Sequence, residues 1–263
     1  MIGVFDSGVG GMTVARAIEQ LLPGYDLIYF GDLARTPYGS KSPETITRYS
    51  RENTQLLIAK GAQLVIIACN TAASVAADTL RAEFSLPMFE VISPAIEQAA
   101  ACTRSGRIGV IGTRATIRSG IYEDKLSAIS ERFRVYSNPC PLLVPLVEEG
   151  WLNRSETKRI VRHYLRPLRE QQVDTLVLGC THYPLLRHVI QPRIGKHVAV
   201  IDSSEAMAAQ LGAFLKNNPE FAARLPQNGR RLHYVSDVTP AALATAKRIF
   251  RRNVELLQVE ESD

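Results

Sequence analysis

Short apolar runs rich in β-branched residues alternate along the chain with stretches that are apolar on one face only. The runs are apolar almost throughout, as strands must be when helices cover both faces of a parallel sheet. The strands predicted in this way span residues 2–5, 27–30, 64–68, 88–92, 108–112, 133–136, 175–178 and 198–201. Between them, segments such as 45–59 and 156–170 have helical periodicity. This alternation predicts a doubly wound α/β fold.

The chain contains two pairs of similar segments in the same order. Residues 2–7, Ile-Gly-Val-Phe-Asp-Ser, are similar to residues 108–113, Ile-Gly-Val-Ile-Gly-Thr. Residues 64–71, which end in Cys-Asn-Thr, are similar to residues 175–182, which end in Cys-Thr-His. Because the two pairs lie at nearly equal offsets, we predict two related α/β halves. In each half one strand ends in polar residues and a later strand ends in a cysteine.

The charge balance gives little support to a nucleic-acid partner. A net charge of +5 arises from 31 basic and 26 acidic residues, which are scattered. The short basic clusters at 229–231 and 248–252 lack aromatic residues arranged as base-stacking platforms. A positive surface also suits an anionic small substrate. No apolar run approaches the length of a membrane span, so we expect a cytoplasmic protein with no membrane partner.

The four cysteines are Cys69, Cys102, Cys140 and Cys180, and they include no CxxC pair and no metal-ligand spacing. We therefore predict neither a disulfide framework nor a metal site. Cys102 and Cys140 are interpreted as small buried hydrophobic residues. Cys69 and Cys180 differ from them because each follows a predicted strand and precedes polar residues.

Ligands of open α/β sheets bind beyond the carboxyl ends of the strands. If the carboxyl ends of the strands in the two halves face each other, Cys69 and Cys180 approach one cleft from opposite sides. Such thiols suit a reaction that takes a proton from one face of a carbon and returns one to the other face. Asp6 is then the predicted proton partner of Cys69, and His182 that of Cys180.

The glycine-rich segment 6–11 precedes a helical pattern that begins near Met12. Its glycines would let the backbone approach a ligand, and the start of a helix favours an anion such as a carboxylate. The segment matches neither GxGxxG nor a P-loop, so it does not predict a nucleotide site. From spacing alone, Glu148 and Glu149 are interpreted as solvent-facing helix residues.

Four motifs occur in order along the chain. They are Gly-Val-Phe-Asp-Ser-Gly-Val-Gly-Gly at 3–11, Tyr-Phe-Gly-Asp at 29–32 with Pro-Tyr-Gly at 37–39, Ala-Cys-Asn-Thr-Ala at 68–72, and Gly-Cys-Thr-His-Tyr-Pro at 179–184. Together they resemble bacterial glutamate racemase, within the wider aspartate/glutamate racemase superfamily. The resemblance runs from residue 3 to about residue 204 and is weaker beyond.

The resemblance implies a racemase that uses neither pyridoxal phosphate nor a metal, with two pseudo-symmetric flavodoxin-like domains around the substrate. Residues 1–92 plus 205–263 would form the first domain, with Cys69, and residues 93–204 the second, with Cys180. It also implies that the enzyme supplies D-glutamate for peptidoglycan in the cytoplasm. Family members are often dimers, so a homodimer is left open.

The resemblance further implies the roles of individual residues. Cys69 would act on D-glutamate and Cys180 on L-glutamate. Glu148 matches an auxiliary glutamate of the family, although its neighbour Glu149 leaves that choice open. The positions that match substrate-holding or thiol-assisting residues are Asp6, Ser7, Tyr38, Gly39, Asn70, Thr71, Thr113, Thr116, Thr181 and His182.

Other functions stay open on the residues alone. Aspartate differs from glutamate by one methylene, which a pocket distinguishes by only roughly 1–3 kcal/mol. A non-catalytic module that binds amino acids or nucleic acid would suit the positive surface, but it has no use for paired thiols. A thiol–disulfide redox role would need a neighbouring resolving cysteine, which neither thiol has.

Overall fold

The computed structural model describes residues 1–259, which form two parallel sheets surrounded by helices. The strands are β1 (Ile2–Asp6), β2 (Leu27–Gly31), β3 (Leu64–Ile67), β4 (Met88–Glu90), β5 (Arg107–Gly112), β6 (Arg134–Pro139), β7 (Thr175–Gly179), β8 (Ala199–Asp202), β9 (Arg231–Val235) and β10 (Leu257–Gln258). The helices are α1 (Met12–Leu21), α2 (Pro43–Ala59), α3 (Asn70–Glu83), α4 (Ile92–Cys102), α5 (Arg114–Arg118), α6 (Ile121–Ile129), α7 (Leu143–Glu148), α8 (Ser155–Glu170), α9 (Arg187–Ile194), α10 (Ser203–Asn217), α11 (Pro219–Arg224) and α12 (Pro240–Phe250).

The two sheets share a common strand order. The first runs β10-β9-β2-β1-β3-β4 and the second runs β6-β5-β7-β8. The order β2-β1-β3-β4 is therefore repeated as β6-β5-β7-β8, and the paired strands in both are parallel. This confirms the predicted α/β class with two sheets of parallel strands. The internal similarity of the sequence corresponds to β1 with β5 and to β3 with β7.

The strands and helices form where local chemistry favours them. The strands β1, β3 and β7 are buried along their whole length, as their continuous apolar sequences predict. The helix α2 begins at Pro43 because the Ser42 side chain accepts a hydrogen bond from the Thr45 backbone N–H. Helix α8 buries Val161, Leu165 and Leu168 against the second sheet and leaves its charged face in solvent.

Two parts of the predicted strand pattern were wrong. The strand predicted at 88–92 ends at Glu90, because the Glu90 carboxylate accepts hydrogen bonds from the backbone N–H groups of Ile92 and Ser93, the first two residues of α4. The strands β9 and β10 were not predicted. The strand β9 carries polar residues along half its length, and β10 spans only two residues.

The last strands extend the first sheet, since β9 pairs with β2 and β10 pairs with β9. The division into domains at residues 92/93 and 204/205 stays a prediction. Residues 260–263 of the predicted first domain lie outside the described residues.

The expectation that Cys102 is buried was wrong, whereas Cys140 is buried as predicted. Helix α4 buries Ala95 and Ala99, and the same face continues to the buried Thr103. Cys102 lies beside that face and points to solvent.

Within residues 1–259, no helix is long and apolar enough to cross a membrane.

Asp174 connects the turn before β5 to the start of β7. Its carboxylate accepts hydrogen bonds from the Thr103 hydroxyl at 2.6 Å and from the backbone N–H groups of Arg104 and Ser105 at 2.8 and 2.6 Å. Burial opposes ionisation, but these hydrogen bonds outweigh it and lower the pKa of Asp174 to about 2. The folded protein therefore favours the charged form.

We expect Asp174→Asn to lower the free energy of unfolding by about 1–2 kcal/mol at pH 7, a value reduced because the side chain is only partly buried. Since the folded pKa is depressed, the contribution is complete above about pH 4 and is lost as the pH falls through about 2. Urea unfolding at pH 7 and pH 3 measures this. Asp78→Asn is the control, because that side chain is 95% exposed. Equal losses in the two variants would contradict the prediction.

Candidate active site

Cys69 and Cys180 follow equivalent strands of the two sheets, β3 and β7. Cys69 is the N-cap of α3, and Cys180 lies just after the last residue of its strand. Both side chains are buried, and both line the same cavity of about 20 Å³. The distant cysteines of the sequence are thus brought to one cavity, as predicted from the carboxyl ends of the strands.

The cavity is small for a ligand site. Its volume of about 20 Å³ suits a single water molecule and is far below the roughly 300–1,000 Å³ of typical ligand pockets. Its lining residues are Ser7, Thr36, Pro37, Tyr38, Gly39, Cys69, Asn70, Thr71, Thr113, Val144, Cys180, Thr181 and His182. A larger cavity of about 200 Å³ is lined in part by Glu148 and Glu149 and includes neither thiol.

The Cys69 thiol lies in a buried, negatively charged environment. Its Sγ donates to the Ser7 hydroxyl at 3.4 Å. Burial, and then the charge of Asp6, raise the pKa of Cys69 to about 12. The proton partner predicted for Cys69 was Asp6, but the side chain that hydrogen bonds to its sulfur is that of Ser7, and the Ala72 backbone N–H donates to the same sulfur at 3.5 Å. Asp6 acts on this thiol through its charge.

Asp6 is itself fully buried behind the cavity. Its carboxylate accepts hydrogen bonds from the Gly8 backbone N–H at 3.0 Å and from the Thr181 hydroxyl at 3.3 Å. Burial raises the pKa of Asp6, and the charge of His182 and these hydrogen bonds oppose that rise. Asp6 therefore connects the first strand to the Cys180 turn.

The environment of Cys180 has the opposite charge. The His182 Nδ1 lies 3.9 Å from the Cys180 Sγ, and its Nε2 lies 3.2 Å from the Glu148 Oε1. Burial would lower the pKa of His182, but the hydrogen bonds to Cys180 and Glu148 raise it to about 10. At neutral pH His182 is therefore a cation between a sulfur and a carboxylate.

Of the two adjacent glutamates, Glu148 makes this contact. Glu148 is the last residue of α7 and is partly buried, with 32% of its side chain exposed. Glu149 caps the same helix and is exposed. The interpretation of Glu148 as a solvent-facing helix residue was therefore wrong, while for Glu149 it was right.

Three threonine hydroxyls form a cluster beside the thiols. The Thr71 Oγ1 lies 2.9 Å from the Thr113 Oγ1 and 3.2 Å from the Thr116 Oγ1, and the last two are 3.0 Å apart. Thr71 is in the first turn of α3, where backbone N–H groups favour an anion. These hydroxyls and N–H groups can bind a carboxylate and stabilise negative charge.

The glycine-rich segment 6–11 packs on site residues. A β-carbon at Gly10 would lie 2.4 Å from the His182 Nδ1, and one at Gly11 would lie 2.3 Å from the Asp6 Cβ. The glycines therefore let this turn approach His182 and Asp6, whereas the sequence predicted an approach to a ligand.

The sequence matches a known protein family over most of its length. The model of the Asp/Glu/Hydantoin racemase family matches residues 2–211, a range that includes both sheets and both cavity thiols. The chain belongs to this racemase family. As a member, it is an isomerase.

Racemases of similar sequence and structure are known. The glutamate racemase of Geobacter metallireducens is 47% identical over 94% of this chain and 91% of its own length. A crystal structure of a glutamate racemase isoform from Bacillus anthracis has a TM-score of 0.93 at 35% identity, covering 99% of this chain and 97% of its own. The glutamate racemase of Francisella tularensis, in complex with D-glutamate, has a TM-score of 0.91 at 32% identity, with the same coverage.

Within this member of the racemase family, most predicted site residues line the cavity. Asp6, Thr116 and Glu148 do not line it, and each instead makes a hydrogen bond to a residue that does. Three lining residues, Thr36, Pro37 and Val144, were not among the predicted site residues. Val144 gives no signal, because an apolar residue in a helical pattern is ordinarily a core residue. Thr36 precedes Pro37, and this would have been read only as a turn.

Among residues 1–259, no group of three His, Cys, Asp or Glu side chains is arranged to hold a metal ion.

Proposed function

We propose that the protein is a glutamate racemase, which interconverts L- and D-glutamate with two cysteine thiols. The observation that carries the proposal is the presence of Cys69 and Cys180 on one cavity, each with its own polar partners. The glutamate racemases to which the chain is similar support the choice of substrate.

In the proposed reaction one thiolate removes the α-proton and the opposite thiol returns a proton to the other face of the carbon. Cys180 takes the proton of L-glutamate, and Cys69 takes that of D-glutamate. Each turnover leaves the first sulfur protonated and the second ionised, so the pair is ready for the reverse direction. Since two thiolates in one cavity would repel each other, one proton is shared between the two sulfurs.

The neighbouring groups have different tasks in this proposal. His182, held by Glu148, is a cation that stabilises negative charge on the Cys180 sulfur. Ser7 accepts a hydrogen bond from the Cys69 thiol, and Asp6 acts on the thiol through its charge. The threonine cluster and the first turn of α3 hold the substrate carboxylate and stabilise the charge that develops as the α-proton leaves. The proposed substrate-binding residues are Asp6, Ser7, Tyr38, Gly39, Asn70, Thr71, Thr113, Thr116, Thr181 and His182.

The wider roles follow from this proposal. The product, D-glutamate, would serve peptidoglycan synthesis, and we place the enzyme in the cytoplasm without a pyridoxal phosphate or metal cofactor. The two domains would be residues 1–92 with 205–263 and residues 93–204, with the substrate between them. A homodimer stays an open prediction.

The test is racemisation of enantiopure glutamate in D2O without added cofactor. We expect the circular dichroism signal to decay to zero from either enantiomer, and deuterium to occupy the α-position of the product. Enantiopure aspartate is the matched substrate control, and we expect its kcat/KM to be at least tenfold lower. Faster turnover of aspartate would make the protein an aspartate racemase. Loss of activity after borohydride treatment would point to a Schiff-base cofactor and contradict the two-thiol mechanism.

A further inference from the structure

Tyr122 connects the second half of the molecule to the turn that carries Cys69. It lies in the first turn of α6 and is 1% exposed. Its hydroxyl donates to the Asn70 Oδ1 at 2.7 Å, and Asn70 directly follows Cys69. Burial raises the pKa of Tyr122 well above its usual value, so this hydroxyl stays protonated and remains a donor.

The same ring packs on the turn that carries Cys180. Gly179 directly precedes Cys180, and a β-carbon built there would lie 3.4 Å from the Tyr122 Cε2 and 3.6 Å from its hydroxyl. That β-carbon would also lie 2.9 Å from the Ile111 backbone oxygen, so glycine lets the strand end fit between Ile111 and the ring. Tyr122 thus hydrogen bonds to the residue after one thiol and lies close beside the residue before the other.

A second, weaker connection runs through Ser203. The Asn70 Nδ2 donates to the Ser203 Oγ at 3.4 Å, and the Ser203 hydroxyl donates to the Leu178 backbone oxygen at 3.4 Å. Leu178 lies in β7, two residues before Cys180. The Asn70 side chain is therefore held from both sides by groups that contact the Cys180 turn.

We propose that Tyr122 is a positioning residue that sets the separation of Cys69 and Cys180 across the substrate carbon. The inference rests on the proposed two-thiol reaction. Both sulfurs must be within reach of a single carbon, and a displacement of about 1 Å is enough to slow such a reaction by up to ~10²-fold. One rigid ring that contacts both turns meets this requirement directly. Without its hydroxyl the Cys69 turn loses its short hydrogen bond to the second half.

The test compares a two-thiol reaction with a one-thiol reaction in the same enzyme. Racemisation of glutamate needs both sulfurs. With 3-chloroglutamate, one thiolate removes the α-proton and chloride leaves, and the resulting enamine hydrolyses to 2-oxoglutarate and ammonia. A merely structural defect lowers the amount of active enzyme and reduces both rates equally. A changed separation of the thiols reduces racemisation more than elimination.

We expect Tyr122→Phe to lower the ratio of racemisation to elimination kcat/KM by roughly tenfold. Ser203→Ala is expected to lower the ratio in the same direction but less, and it keeps the proposal testable if Tyr122→Phe fails to fold. The matched control is Tyr183→Phe, which removes a buried hydroxyl that donates to the Cys140 backbone oxygen at 2.9 Å, within the second half. Its ratio should equal that of the wild type.

Three outcomes distinguish a failure of this inference from a failure of the proposed function. A wild-type enzyme that racemises glutamate, with Tyr122→Phe and Ser203→Ala at the wild-type ratio, would overturn the role of Tyr122 and leave the proposed function intact. An equal fall of the ratio in Tyr183→Phe would also overturn it. A wild-type enzyme that racemises no glutamate would overturn the proposed function and, with it, this inference.

Discussion

Replacing either Cys69 or Cys180 by serine is expected to lower kcat for glutamate racemisation by roughly 10²–10⁴-fold in both directions. A serine hydroxyl occupies nearly the same space as a thiol but releases its proton far less readily. Because the proposed reaction uses each sulfur once per turnover, the loss of one sulfur stops both directions. Circular dichroism with enantiopure L- and D-glutamate measures the two rates.

The remaining cysteines provide matched controls for this prediction. Cys102 is exposed, and Cys140 is buried near the site without lining the cavity. We expect Cys102→Ser and Cys140→Ser to keep wild-type turnover. Retention of more than a tenth of the activity by Cys69→Ser or Cys180→Ser would exclude the two-thiol mechanism. Thermal unfolding of each variant shows whether a loss of activity is a loss of fold.

Replacing His182 by asparagine is expected to lower kcat/KM by roughly 10²-fold. The cation beside Cys180 is then lost, so removal of the α-proton by that sulfur becomes slower. The equilibrium constant of a racemisation is one, so kcat/KM must fall equally for the two enantiomers. The asymmetry is expected in the primary isotope effect, which should rise for α-deuterated L-glutamate and fall for α-deuterated D-glutamate.

The raised pKa of His182 also predicts how the activity of the wild type and of His182→Asn depends on pH. The raised pKa of His182, about 10, means that the folded protein holds this proton more tightly than the unfolded chain does. Its contribution to stability is therefore complete below about pH 6.5 and is lost as the pH rises through about 10. Wild-type activity should fall over the same alkaline range, and the His182→Asn profile should lack that step.

Neighbouring carboxylates test the assignment further. Glu148→Gln should lower kcat/KM and shift the isotope effects in the same direction but less, because it removes the charged partner of the His182 Nε2. Glu149→Gln should have no effect, since that side chain is exposed. Asp6→Asn is expected to show the opposite asymmetry. Because Asp6 acts on Cys69, its primary isotope effect should be larger for α-deuterated D-glutamate than for α-deuterated L-glutamate. An isotope effect that rises equally for both enantiomers in His182→Asn would show that His182 does not serve Cys180 alone.

Much of this site was predictable because parallel strands place their carboxyl ends together. The sequence alone placed Asp6, Cys69, Thr113 and Cys180 after strands, and the strand order then brings these ends to one cavity. Of the hydrogen-bond partners of the two thiols, the sequence predicted His182 for Cys180 but not Ser7 for Cys69. His182 is two residues from Cys180 and contacts it, whereas Ser7 reaches Cys69 because of how β1 and β3 pair.

The remaining features depend on packing between distant segments. Nothing in the local sequence of Tyr122 indicates a hydrogen bond to Asn70, since Tyr122 lies in α6 and Asn70 lies in α3, far apart along the chain. Val144 looks like an ordinary core residue and reaches the cavity only through the placement of α7. Cys102 was misplaced because its residue type favours burial while its position on α4 does not.

The cavity between the thiols has a consequence for the speed of turnover. At about 20 Å³ it cannot contain an amino acid, so we expect the residues that line the cavity to move apart before a substrate enters. We expect the frequency of this opening to set an upper limit on kcat, however fast the sulfurs exchange protons. Substitutions that make the junction stiffer would raise the melting temperature while slowing catalysis.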